Sequence, residues 1–227
     1  MAANYLIYFL LIALIPLWAS VKVQTTAKKY LKVHNSTNMT GYEVARKILD
    51  ENGLYDVKVE EVHGFLTDHY DPRTKTVRLS SAVYNGVSLT ATAVSAHEVG
   101  HALQDQENYA FLRFRTALVP LASLGSQMSY LFLILGLVLG FLNMALLGII
   151  LMGFAVLFQI VTLPVEFNAS SRALDQVVAL GIIRNEEERG ARKVLSAAAL
   201  TYVAAAAVAL LELLYFLLQF LQASRNE

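Results

Sequence analysis

The feature that most constrains this chain is an apolar segment at residues 117–161, which contains no Lys, Arg, Asp or Glu. At about 1.5 Å per helical residue it is too long for one crossing of a bilayer core of about 30 Å. It fits two helices of about 20 residues joined by a short turn near Phe141, Leu142 and Asn143. We therefore expect a transmembrane helical hairpin at residues 117–163.

Two further segments are long and apolar enough to cross a membrane. Residues 1–20 predict an anchor helix. A cleaved signal peptide is the alternative, but the segment lacks a basic start and a small-residue cleavage site. Residues 197–227 predict a last transmembrane helix and a short tail. That helix contains Glu212, an ionisable group that is a functional candidate by its position but could also bond to a neighbouring helix.

Basic residues in the short loops predict how the four helices are oriented. The hairpin turn contains no Lys or Arg, whereas the segments on either side of the hairpin are rich in both. We therefore expect residues 21–116 and 164–196 on the cytoplasmic side of the bacterial cell membrane, and both chain ends outside. The basic residues concerned are Lys22, Lys28, Lys29, Lys32, Arg113, Arg115, Arg172, Arg184, Arg189, Arg192 and Lys193.

The segment that follows the first helix has the patterns of a small α+β domain. A capping box at Thr40 and Glu43 predicts the start of a helix. Period-two apolar spacing at residues 57–59 and 76–79 predicts strands. A longer helix without internal proline is expected at about residues 88–107. The fold class predicted for the whole chain is thus an α+β domain integrated with about four transmembrane helices.

Composition excludes several kinds of site and partner. The chain has no cysteine, so neither disulfides nor thiolate metal ligands can form. Its formal net charge is zero, and no basic patch alternates with aromatic residues, so no nucleic-acid partner is expected. The expected surroundings are instead the lipid bilayer.

The strongest chemical signal is the HExxH pattern formed by His97, Glu98 and His101 on the predicted longer helix. Residues four apart share one helix face, about 5–6 Å apart at Cβ, so both histidines can bind one Zn²⁺. Glu98 can then take a proton from a zinc-bound water and generate the nucleophile. Chance is the alternative, but two of the five histidines occupy these positions.

A zinc hydrolase needs a third protein ligand, and Glu166 is the best candidate. It follows His101 by 65 residues, but the hairpin returns the chain to the side of the membrane from which it started. The alternative is a carboxylate that lies at the membrane boundary without a metal. We expect one Zn²⁺ per chain.

The ordered combination of HEVGHALQ, a membrane hairpin and the E-F-x-A-x-x-R-A segment at Glu166 resembles the bacterial membrane-bound neutral zinc metallopeptidases, which are distantly related to the HtpX-like gluzincin proteases. The resemblance implies a zincin-like catalytic domain with zinc-dependent endopeptidase activity. It also implies His97, His101 and Glu166 as ligands and Glu98 as general base. HtpX-like proteins have an aspartate where this chain has Ser170, so either Ser170 or Asp175 could orient a zinc histidine instead.

Three residues could donate a hydrogen bond to the oxyanion of peptide hydrolysis. For His69 and Tyr70 the alternative is a polar turn before Pro72. For Arg172 the favoured alternative is an ion pair or contact with lipid headgroups. Their assignment to the catalytic site is open.

The predicted function is hydrolysis of peptide bonds in membrane or misfolded proteins, with a polypeptide as the substrate. The extended substrate would pair with an edge strand, for which residues 76–79 are the candidate. Regulatory membrane proteins are possible partners. The alternative function is a catalytically inactive, zinc-binding membrane scaffold, in which a base at Glu98 would have no use.

Overall fold

The computed structural model describes residues 2–225 of the chain, and the side chains of residues 7–184 and 186–225. This part of the chain forms seven helices and one small sheet. In chain order the elements are α1 Ala2–Tyr30, α2 Gly41–Glu51, β1 Lys58–Val62, β2 His69–Asp71, β3 Thr76–Ser80, α3 Ser81–Tyr84, α4 Leu89–Gln106, α5 Ala110–Leu139, α6 Leu142–Ala179 and α7 Asn185–Ser224.

Four of the described helices, α1, α5, α6 and α7, are long and apolar enough to cross a membrane. With the mixed sheet between α2 and α3, they confirm the predicted α+β domain with about four transmembrane helices. The predicted hairpin turn is also confirmed, because only Gly140 and Phe141 separate α5 from α6. Gly140 has a φ of 74°, a left-handed conformation that glycine adopts without steric cost.

The helices continue well beyond the apolar segments from which they were predicted. The 38 residues of α6 span about 57 Å at 1.5 Å per residue, far more than a bilayer core. The helix passes through Pro164 and carries Glu166 on the same continuous element. The residues after the hairpin are therefore a helical extension and not a separate loop.

The chain divides into two compact units. The helical unit consists of Met1–Ala19, Ala110–Pro164 and Thr201–Glu227. Its buried cluster contains Leu133 and Met152, against which Phe216 packs. The mixed unit consists of Ser20–Tyr109 and Val165–Leu200.

The sheet of the mixed unit has the strand order β1-β3-β2. β1 runs parallel to β3, and β2 runs antiparallel to it. The prediction that residues 76–79 form an edge strand is wrong, because β1 and β2 take up both backbone edges of β3. β1 and β2 are the edge strands, and β2 was not recognised in the sequence because it has only three residues.

The core of the mixed unit contains residues of α2, β3 and α4, together with residues from the C-terminal part of α6 and the N-terminal part of α7. α2 begins at the predicted capping box: Thr40 Oγ1 accepts from the Glu43 N–H at 3.2 Å, and the Glu43 carboxylate accepts from the Thr40 N–H at 2.8 Å. Val177 of α6 and Val194 of α7 are buried in the same core. Residues far apart in the sequence therefore support one small domain.

Candidate metal centre

The predicted HExxH helix is present as α4. Its first turn is capped by Ser88, whose hydroxyl accepts from the Ala91 N–H at 3.1 Å. His97 and His101 lie one turn apart on this helix, with ring centroids 4.8 Å apart. Both imidazoles therefore lie on the same face of α4, as the spacing predicts.

Glu166 on α6 lies directly between the two imidazoles. Its Oε2 is 3.3 Å from His97 Nε2 and 3.6 Å from His101 Nε2. One donor atom from each of the three residues lies within 4.8 Å of the other two, and Glu166 is only 3% exposed. The structure thus brings together the three residues that the sequence predicts as ligands.

Close packing of α4 on α6 makes this approach possible. A Cβ at Gly100 would lie 2.6 Å from the backbone oxygen of Ala169, so only glycine fits at this contact. One turn further along α4, the fully buried Gln104 donates to Val165 O at 2.8 Å and to Asn168 Oδ1 at 2.9 Å. These hydrogen bonds fix the position of α6 relative to the histidines.

The Nδ1 atom of each histidine contacts a polar side chain. Ser170 Oγ lies 3.1 Å from His97 Nδ1, and an orienting role for Ser170 stays a prediction. Gln104 Oε1 lies 3.0 Å from His101 Nδ1. Because an amide oxygen can only accept, His101 donates through Nδ1 and keeps the Nε2 lone pair for a ligand. Gln104 was missed in the sequence, although its spacing of three from His101 places it on the same helix face.

Glu98 is buried, with 8% of its surface exposed. Burial raises the pKa of its carboxyl, and the negative charges of Asp68 and Glu166 act in the same direction against the opposing effect of the two histidines. Asp68, also missed in the sequence, accepts from the Ser80 N–H at 2.7 Å and from the Ser80 hydroxyl. Burial raises the pKa of Asp68 too, despite these hydrogen bonds.

The electrostatics of His101 are set by the neighbouring carboxylates. Burial lowers the pKa of His101, but the hydrogen bond to Glu166 and the charges of Glu166 and Glu98 outweigh it, so its pKa lies above the ordinary value. The neighbouring carboxylates thus strengthen the binding of a proton to His101. Metal and proton compete for the same lone pair.

The remaining predicted site residues contact other groups. Arg172 makes a bidentate ion pair with Glu107, with both distances at 2.7 Å, as the favoured alternative expected. The Tyr70 hydroxyl donates to a carboxylate oxygen of Asp105 at 3.0 Å. His69 on β2 is exposed, and its Nδ1 lies 2.9 Å from Thr67 O. Asp175 on α6 is exposed as well. Catalytic or orienting roles for these residues stay predictions.

The donor set fits a zinc ion. Two imidazoles and one carboxylate form a common three-residue zinc site, which leaves a fourth position open. With bonds of about 2.0–2.1 Å, ligand atoms around a tetrahedral ion lie about 3.4 Å apart. The distances from Glu166 Oε2 to the two Nε2 atoms, 3.3 and 3.6 Å, match this separation closely.

Comparison with known proteins agrees with this chemistry. A sequence model of the family described as "Putative neutral zinc metallopeptidase" matches residues 5–221. The chain belongs to this family. It is also 56% identical over 218 residues to the "Putative membrane protease YugP" of Bacillus subtilis (strain 168), covering 95% of this chain and 97% of that protein. No solved structure matches the chain.

Membership of this zinc metallopeptidase family bears out the resemblance on which the sequence interpretation relied. It also agrees with the membrane character indicated by the four long apolar helices. Among the residues that the structure describes, the cluster of His97, His101 and Glu166 is a place that could hold the metal of such a peptidase.

The contact between Gly100 and Ala169 generates a prediction about metal affinity. Gly100→Ala should lower zinc affinity by at least about 10-fold, because the added methyl group forces α6 and Glu166 away from the histidines. Competition with a chromophoric chelator would measure the affinity. Gly153→Ala is the matched control, since a Cβ there meets no atom within 4 Å. Unchanged affinity in Gly100→Ala would contradict the importance of this contact.

The raised pKa of His101 generates a prediction about pH. In the metal-free protein His101 stays protonated to a higher pH than an ordinary histidine, so zinc must displace its proton on binding. Zinc affinity should therefore fall as the pH drops through and below neutrality, with proton release at pH 7. Calorimetry in two buffers of different ionisation enthalpy would measure the released protons. The same enthalpy of zinc binding in both buffers would mean that no proton is released and would contradict the prediction.

Proposed function

We propose that this chain is a membrane-anchored zinc-dependent endopeptidase that holds one Zn²⁺ per chain through His97, His101 and Glu166. The observation that carries the proposal is the convergence of two imidazole Nε2 atoms on one buried carboxylate oxygen. Family membership supports the same chemistry independently of this geometry.

The chain's own residues would supply proton transfer. A zinc ion held at this site would supply a Lewis acid that polarises water and a peptide carbonyl. Glu98 directly follows His97, so its carboxylate can accept the proton of the attacking water and pass it to the leaving amine.

The substrate class inferred from the fold is an extended polypeptide. β2 pairs only with β3 within the described sheet, so its other backbone edge can accept a further strand. α4 packs against β2 as well as β3, and Asp68, next to β2, influences Glu98 electrostatically. A polypeptide added along β2 would therefore run beside the metal centre, past His69 and Tyr70.

The alternative function, a catalytically inactive zinc-binding scaffold, gives Glu98 no role. Burying a carboxylate costs free energy unless a charge or hydrogen bond compensates. Structural zinc sites are almost always closed by four protein ligands, whereas the three ligands here leave one position open. The open position and the additional buried carboxylate of Glu98 both favour catalysis.

Replacing Glu98 separates these two functions. Glu98→Gln should retain about one zinc per chain and lose about 10²–10⁴-fold in the cleavage of an unfolded protein, because the amide cannot accept the proton. Metal analysis and a protease assay on the purified full chain would measure both quantities. Glu51→Gln, an exposed site on α2, is the matched control and should keep full activity.

Three outcomes would count against the proposal. Equal cleavage by Glu98→Gln and the unaltered chain would remove Glu98 as the base. Loss of zinc in Glu98→Gln would show that the assigned ligand set is wrong. A zinc-loaded chain that cleaves no polypeptide would favour the scaffold.

We also propose that the mixed unit faces the cytoplasm, as the distribution of Lys and Arg predicts. A reporter protein inserted after Lys32 should then be active in the cytoplasm. The same reporter, chosen because it is active only in the cytoplasm, should be inactive when it is inserted after Gly140 in the hairpin turn. The reverse pattern would invert the assigned orientation without affecting the chemistry.

A further inference from the structure

A basic groove lies between the C-terminal part of α1 and the first half of α7, within the mixed unit. The cavity has a volume of about 740 Å³. Five cationic side chains line it: Lys22, Lys29, Arg189, Arg192 and Lys193. None of them belongs to the metal centre, so the groove requires a separate explanation.

Most of this positive charge is not neutralised within the protein. Arg189 and Arg192 each approach a glutamate one turn away on α7, at 3.5 and 2.7 Å. Among the side chains that the structure describes, no carboxylate forms an ion pair with the three lysines of the groove. Three neighbouring like charges repel one another, and an anion in the groove would relieve this repulsion.

The groove also has neutral hydrogen-bond donors. The hydroxyls of Thr26 and Ser196 line it and can donate to an oxyanion. Beside the groove α1 and α7 pack closely, since a Cβ on Gly190 would lie 3.1 Å from Tyr30 Cε1. Lysines and hydroxyls that line one groove are a combination that suits a phosphate group.

Its position in the sequence indicates which phosphate. Lys22 follows the apolar segment of α1, Lys193 precedes the apolar segment of α7, and Leu200 lies within the first turn of that segment. Ala197 and Leu200 contribute an apolar part to the lining. A free phosphate has no use for apolar lining, whereas a phospholipid presents a charged headgroup and a hydrocarbon part together.

We propose that the basic groove binds the headgroup of an anionic phospholipid. The phosphate would lie among Lys22, Lys29 and Lys193, and the acyl chains would leave the groove past Leu200. Basic pockets between membrane helices near the cytoplasmic face have the charge that such lipids require. The proposal does not depend on peptidase activity and can be tested without it.

The test uses the purified full chain in an uncharged detergent, with native mass spectrometry to measure the dissociation constant of the first bound lipid. Phosphatidylglycerol should bind more tightly than zwitterionic phosphatidylcholine. A groove variant replaces all three unpaired lysines by glutamine: Lys22→Gln, Lys29→Gln and Lys193→Gln. It should lose about 100-fold in phosphatidylglycerol affinity, at roughly a factor of five for each lysine.

A control variant removes the same net charge from exposed lysines outside the groove: Lys28→Gln, Lys32→Gln and Lys58→Gln. It should lose less than about 10-fold, because only general attraction to the lipid is reduced. Both variants should keep the melting temperature and zinc content of the unaltered chain in lipid-free detergent.

A second test places a carboxylate in the groove with Ser196→Glu, which should also weaken lipid binding. The control is Ser171→Glu at an exposed position on α6, which should leave lipid binding unchanged.

Equal losses in the groove and control variants would overturn the proposal, as would equal affinity for the two lipids. Inorganic phosphate tests whether the groove binds free phosphate instead of the phosphate group of a lipid. If phosphate raised the melting temperature and phosphatidylglycerol did not, and the groove variant abolished the effect of phosphate, the groove would be a site for free phosphate and not for lipid.

Discussion

The metal centre depends on one contact, the close approach of α4 and α6 at Gly100 and Ala169. The two histidines come from one helix and need no more than helical spacing. Glu166 comes from another helix, and its carboxylate reaches them only because no side chain separates the backbones at Gly100. The Gln104 side chain links α6 to the histidines, since it donates to Val165 O of α6 and accepts from His101 Nδ1. The geometry of the site is therefore a property of helix packing.

Features determined by neighbouring residues could be predicted from the sequence. The capping box of α2, the helix that carries His97 and His101, and the hairpin turn are all local patterns, and the structure contains each of them. Glu166 was found by a different route, because charge distribution predicted that the hairpin returns the chain to its starting side. Ser170 was found through a family resemblance and lies beside His97.

Features that depend on partners distant in sequence could not be predicted in the same way. β2 has three residues, too few for a periodic signal, and it exists because β3 pairs with it. For the same reason the central position of β3 was not recognised from residues 76–79. Asp68 and Gln104 look like ordinary polar residues in the sequence. Only the fold shows that one is close enough to raise the pKa of Glu98 and that the other orients His101.

The charge of the buried cluster also supports a divalent cation. Glu98 and Glu166 are both buried, and two ionised carboxylates close together in a medium of low dielectric repel strongly. Neutral histidines cannot compensate this charge, whereas protonated histidines could do so but would lose their capacity as ligands. One divalent cation would balance two carboxylates and leave both imidazoles neutral, with their Nδ1 atoms beside Ser170 and Gln104. The charge of the cluster therefore suits a divalent cation better than it suits protons on the histidines.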